Sequence, residues 1–179
     1  SCTDGKISNP QKLPTFDIEY MFLQLRAKST GAEVELQITC PDDGETKVPV
    51  TVNLEEVKVQ KDDEHSTEIM ITDTIGLKMK YPSMIDISKY QVNKTKTVDL
   101  TFGVIKDCLE SIFDDEQVYE DMGKKELDEF IESMNTEQFG KIQKFFDTMP
   151  KVKHTIKVKN PKTEVESDVV IEGMQNFLG

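Results

Sequence analysis

Asn135-Thr136-Glu137-Gln138-Phe139-Gly140-Lys141-Ile142-Gln143-Lys144-Phe145-Phe146-Asp147-Thr148-Met149-Pro150 is a helix written from cap to stop. Asn135 offers a side-chain acceptor to the free N–H groups of a first turn. Gln138 stands three residues on, where a capping box reaches back to the cap. Phe139, Ile142, Phe145, Phe146 and Met149 supply the apolar face. Pro150 ends the helix because it lacks an N–H and its ring clashes with the turn before it. Gly140 inside the helix costs about 1 kcal/mol relative to alanine. Two more stripes stand upstream. Leu127, Phe130, Ile131 and Met134 recur at helical spacing, and so do Val104, Ile105, Cys108, Leu109 and Ile112, with Asp99 as a cap before them. Gly123 separates those two. Thr97 to Pro150 therefore reads as a block of three helices whose apolar faces must fold on one another or on a sheet.

Outside the block the period changes. Residues 1–14 are polar and irregular, with Gly5, Pro10 and Pro14. Thr15 to Lys28 reads as a helix with Ile18, Met21, Phe22 and Leu25 on one side and Phe16, Tyr20 and Leu23 widening it, a composition that calls for burial. Val34, Leu36 and Ile38 alternate with polar residues, and Val48, Val50, Val52 and Leu54 return after the turn Cys40-Pro41-Asp42-Asp43-Gly44. Pro49 puts that second strand at an edge or turns its main chain to solvent. Val57 and Val59 begin a third strand, Glu68 to Thr72 and Leu77 to Lys80 form another hairpin, and Met84 to Tyr90 a short helix. After Pro150, Val152, His154, Ile156 and Val158 alternate with polar residues, turn at Asn160-Pro161-Lys162-Thr163, and return through Val165 to Ile171. The expected fold class is α+β, with antiparallel hairpins packed with a central three-helix block, because strands and helices come in separate runs. One compact domain is expected, made of an N-terminal helix and hairpin region (1–98), the helical block (99–150) and a C-terminal hairpin with an apolar tail (151–179).

Composition narrows the function classes. A net charge of −12 argues against a nucleic-acid-binding face. Apolar content of 36% and charged content of 31% suit a folded soluble chain. Cys2, Cys40 and Cys108 are odd in number and widely spaced, a poor disulfide framework, so a reducing intracellular setting is expected. No apolar run approaches the roughly 20 residues of a membrane span, and no signal peptide is visible. Asn93-Lys94-Thr95 matches a glycosylation sequon and reads as chance. The chain opens at Ser1 rather than Met, as a processed or truncated form does.

Candidate chemistry is sparse. Cys2, Cys40, Cys108, His65 and His154 share no metal-ligand spacing. The clusters Asp42-Asp43-Glu45, Asp62-Asp63-Glu64 and Asp114-Asp115-Glu116 lack an EF-hand pattern and read as solvated turns and helix ends. His154 reads as a packed strand residue and His65 as a solvated one. No nucleophile elbow or phosphate-cradling glycine loop is present. No catalytic, cofactor-binding or metal residue is therefore assigned, and no cofactor. The candidate partner-binding residues are Lys151, Lys153, Lys157 and Lys159, a positive strip that either blunts an edge strand or docks a partner, and the apolar tail residues Met174, Phe177 and Leu178. Rival readings are a small Mg²⁺- or Ca²⁺-dependent enzyme built on the acidic clusters, or a generic protein-binding module.

Particular phrases go further. Phe16-Asp17-Ile18-Glu19-Tyr20 with Leu25-Arg26-Ala27-Lys28-Ser29 resembles the baseplate hub assembly proteins of T-even-like contractile-tailed bacteriophages. So do Ile38-Thr39-Cys40-Pro41, Lys80-Tyr81-Pro82, the helix from Phe139 to Pro150, and Gly173-Met174-Gln175-Asn176-Phe177. The resemblance covers nearly the whole chain. It implies a non-enzymatic hub component or assembly chaperone that contacts other baseplate hub proteins. It also implies a place in the host bacterial cytoplasm during virion assembly, or in the virion baseplate. Members of that family look longer at the N-terminus. In some related phage sequences the two Pro-bearing turns look like Cys-Pro-x-Cys zinc knuckles. Here the first keeps one cysteine and the second none, so the resemblance implies turns held by hydrogen bonds and packing.

Overall fold

The computed structural model describes residues 9–91, 97–120 and 122–178, so Cys2 and the Asn93-Lys94-Thr95 sequon lie outside the described residues. The fold is α+β, with every strand pairing antiparallel. The chain divides into two compact units, one holding residues 1–15 and 62–149, the other residues 16–61 and 150–179.

The second unit is built from one helix and two hairpins. Helix α1 (Thr15–Thr30) leads into strands β1 (Glu33–Thr39) and β2 (Lys47–Asn53), which pair from Glu33–Asn53 to Thr39–Lys47. Short β3 (Lys58–Gln60) joins β8 (Lys151–Lys159), and β8 pairs along its length with β9 (Glu166–Glu172) in the order β3-β8-β9. Leu23, Leu54, Val57, Val152 and Phe177 are fully buried at the centre, with Leu36, Val52, Val158 and Ile171 around them. Gln24 Nε2 donates to the Leu54 carbonyl (3.1 Å) and Arg26 to that of Phe177 (3.0 Å), which ties α1 to the segments that follow β2 and β9.

Which face of α1 is buried differs from the pattern expectation. The buried line is Phe16, Leu23 and Ala27, with Tyr20 packed beside it, while Phe22 and Leu25 are 47% and 43% exposed. Apolar residues surround this helix, so periodicity could not choose a face; packing did. Pro49 behaves as expected. Hydrogen bonds from Cys40 N to Thr46 O and from Leu54 N to Ala32 O (both 2.8 Å) fix the even-numbered residues of β1 as the bonded ones. Pro49 sits opposite Gln37 in a non-bonded pair, where its missing N–H costs nothing.

The first unit contains the helical block. Strands β4 (Glu68–Met70) and β5 (Gly76–Met79) form a hairpin; α2 (Met84–Gln91) and α3 (Thr97–Cys108) follow. Then come β6 (Leu109–Phe113), β7 (Val118–Tyr119), α4 (Lys124–Glu132) and α5 (Thr136–Thr148), with sheet order β4-β5-β6-β7. Asn135 caps α5 as its sequence announces: its side chain accepts from Gln138 N, and Gln138 Oε1 accepts from Asn135 N, both at 2.9 Å. Ile105, Cys108, Ile131, Ile142 and Phe145 from the three helices meet Leu77, Met79 and Ile112 of the sheet in one core. Two details correct the sequence expectation. Asp99 lies within the first turn of α3 rather than ahead of it. The stripe drawn through Leu109 and Ile112 is not helical, because those residues leave α3 and pair with β5 as Met79–Leu109 and Leu77–Ile112. Cross-strand pairing with the buried side chains of β5 outweighs the local helical spacing.

Candidate functional site

The two Pro-bearing turns meet. Each closes through the same five-residue hydrogen bond, Gly44 N to Cys40 O and Glu164 N to Asn160 O, both 2.9 Å, and each ends on a left-handed residue, Gly44 (φ 68°) and Glu164 (φ 61°). Asn160 is 1% exposed, and its amide Nδ2 lies 3.0 Å from both carboxylate oxygens of Asp42 and 2.9 Å from Asp43 Oδ2. Thr163 Oγ1 also donates to Asp42, and Asp43 Oδ1 accepts from the backbone N–H groups of Glu45 and Thr46. Donors from Thr163 and Asn160 hold the Asp42 carboxyl below its ordinary range, and those of Thr46 and Asn160 lower Asp43 further. Burial beside these charges raises the Cys40 thiol, which leaves it protonated and inert. The hydrogen bonds expected at these turns are thus present, with Asn160 as their hub.

The lysine strip lies on one face of β8, opposite acidic residues of β9. The register places Lys153 across from Glu172, Lys157 from Asp168 and Lys159 from Glu166. Glu172 bridges Lys151 (2.9 Å) and Lys153 (3.5 Å). Burial pushes its carboxyl up, but the two lysines outweigh this and hold it below the usual value. Lys157 and Lys159 remain exposed. β3 flanks β8 only at residues 151–153, so Lys151 and Lys153 stand on a stretch paired on that side, whereas Lys157 and Lys159 stand where β8 pairs with β9 alone. In the tail, Phe177 is fully buried and belongs to the core of its own unit. Met174 packs against that core, and Leu178 is 37% exposed. The seven residues named from sequence are therefore brought to one unit but into three different settings.

The remaining candidates are structural in geometry. His65 is half-buried rather than solvated: its Nδ1 lies 2.9 Å from Thr148 Oγ1, its Nε2 3.0 Å from Tyr81 OH, and its ring packs on Phe145. Sequence could not place it, since Tyr81 and Thr148 reach it from distant segments. His154 lies in β8 opposite Ile171. Asp62 and Asp114 accept backbone N–H groups from residues two or three ahead, as turn-forming aspartates do, and Glu64 pairs with Lys144 (2.6 Å). The N–H groups of Glu116 and Gln117 lower the Asp114 carboxyl. Among the described residues no three His, Cys, Asp or Glu side chains converge as a metal site, and no helix is long and apolar enough to cross a membrane.

Comparison with known proteins gives one family. Residues 1–179 match the family described as T4 bacteriophage base plate protein. No curated protein and no solved structure matches the chain. Membership carries a structural place in the baseplate of a tailed phage and, with it, contacts with other baseplate proteins. Over its whole length, the chain belongs to the T4 bacteriophage base plate protein family.

Proposed function

We propose that the chain serves the assembly of the baseplate hub, as a hub component or an assembly chaperone, through protein–protein contacts and without catalysis. The observation that carries this reading is the family match over residues 1–179. Side-chain chemistry supports it: the acidic clusters serve turns, Lys151 and Lys153 pair with Glu172, and the buried cysteines pack. What is left for a partner is exposed strand and helix surface, including Lys157, Lys159 and Leu178. Assembly takes place in the host bacterial cytoplasm, where the baseplate is built.

The test is coexpression with the other baseplate hub proteins of the same phage, followed by pull-down and size-exclusion chromatography with light scattering. A complex of defined stoichiometry is expected. The chain's presence in purified virions then assigns a hub subunit, and its absence a chaperone. Failure to bind every coexpressed hub protein refutes the reading.

A further inference from the structure

Among the described residues β1 pairs only with β2 and β9 only with β8, so each has a free long edge; β2 has one too, but no residue of β2 lines the groove between β1 and β9. The registers say which groups those edges expose. Even-numbered residues of β1 bond to β2, so Glu33, Glu35, Gln37 and Thr39 aim their N–H and C=O groups outward. On β9, bonds from Gly173 N to Val152 O and from Asn160 N to Val165 O (both 2.9 Å) assign the odd-numbered residues to β8. Asp168 and Val170 therefore face outward with both main-chain groups. The Glu172 carbonyl also faces out but is taken by Asn176 Nδ2 (2.6 Å), which closes that end.

Between these edges runs a groove of about 440 Å³, lined by residues 35–38 of β1 and 169–172 of β9. Four residues on each side span about 13 Å of extended chain at about 3.3 Å per residue. We propose that this groove receives an extended segment of a baseplate partner, which adds as a strand along the two edges. This rests on the protein-contact reading above and names its surface.

The chemistry of the walls sets the segment. Unpaired main-chain donors and acceptors in a row are satisfied by another extended backbone and by little else. One face of the groove carries buried Leu36 and Ile171, which calls for apolar side chains at alternate positions. On the other face Glu33 and Glu35 have only Asn53 and Thr51 across the strand, unlike the acids of β9, which have lysines. Their charge is uncompensated, so the alternate positions of the partner are lysine or arginine. Val170, 56% exposed, offers apolar contact beside them. A second copy does not supply this segment from its described residues. The alternating apolar and lysine strand of this chain, β8, is bonded along its length to β9 and at residues 151–153 also to β3, so it has no second free edge to offer between two walls.

Hydrogen exchange on the complex formed by coexpression tests the register directly. The amides of Glu35, Gln37, Asp168 and Val170 are expected to slow by at least about tenfold on binding, while those of Leu36 and Ile171, already in ladders, do not change. Val170→Pro removes an outward N–H without touching the bonds to β8, and Glu35→Lys reverses the wall charge. Each is expected to weaken the complex about tenfold or more with an unchanged unfolding midpoint. A complex that persists with both variants, or forms without slowing those amides, overturns the groove and leaves the assembly role standing. No complex with any hub protein overturns the role and the groove together. A dimer of the chain alone that Val170→Pro abolishes assigns the groove to a second copy and overturns the choice of partner.

Discussion

Replacing Asn160 with alanine tests whether one amide holds the two turns together. Its Nδ2 faces three carboxylate oxygens at 2.9–3.0 Å, its Oδ1 accepts from Lys162 N at 2.9 Å, and the residue is 1% exposed. Hydrogen bonds to charged groups contribute roughly 1.5–3 kcal/mol each, but Asp42 and Asp43 are exposed, so water replaces part of what the amide supplies. Thr163, Thr46 and backbone donors still serve the two aspartates, so only part of this is forfeited. The expected destabilisation by Asn160→Ala at pH 7 is about 1–3 kcal/mol, read from urea unfolding followed by circular dichroism.

Its pH dependence is equally specific. Asp42 and Asp43 titrate lower in the folded protein than the ordinary value of 3.8. Their contribution is therefore complete above the unfolded carboxylate range and is lost as the pH falls below it through the folded values. Without Asn160 that depression shrinks, so the gap between wild type and variant narrows from pH 7 to pH 3. Asn160→Asp, which swaps the donor for a third carboxylate, falls further than alanine at pH 7 and recovers on acidification. A variant within about 0.5 kcal/mol of wild type, or a gap equal at both pH values, refutes the reasoning.

Other perturbations report on the two cores. Phe177→Ala empties the centre of the hairpin unit and is expected to cost about 3–5 kcal/mol, measured by the same unfolding assay. A Cβ at Gly76 would lie 2.1–2.8 Å from ring atoms of Phe113, its cross-strand partner, so Gly76→Ala is expected to cost about 1–3 kcal/mol. In a double-mutant cycle Phe113→Ala removes most of that cost; an additive cycle disproves the clash. Asn135→Ala breaks the capping box of α5 and is expected to lose about 1 kcal/mol, whereas Asn135→Ser keeps most of it.

Elements whose information is local were legible in the sequence. Helix α5 carries its cap, stripe and stop within 16 residues, and the alternating strands β1, β2, β8 and β9 declare their period and turns. Pro49 even declared the direction of its main chain. What was not legible depends on partners far away. Leu109 to Phe113 continue a helical spacing and become a strand only because β5 lies alongside. The face of α1 could not be chosen from a helix apolar all round, and Phe177 reads as a loose tail until α1 and β8 enclose it. The lysine strip was visible, but the acids of β9 that answer it are set by register. The meeting of residues 42 and 43 with residue 160 had only the shared layout of two turns to suggest it.

The division of the chain has a consequence for its synthesis. The hairpin unit is split in sequence, with residues 62–149 lying between its halves. The ribosome thus delivers α1, β1 and β2 well before the strands and Phe177 that bury their apolar faces. During that interval Leu23, Leu36 and Val52 have no permanent cover, while the helical unit already has every segment from 62 to 149 it needs to close. The inserted unit therefore has its whole sequence made first. The edge of β9 is made last, so a nascent chain cannot present both walls of the groove until residues 166–172 have emerged. Synthesis itself thereby completes the groove only after the whole inserted unit has been made.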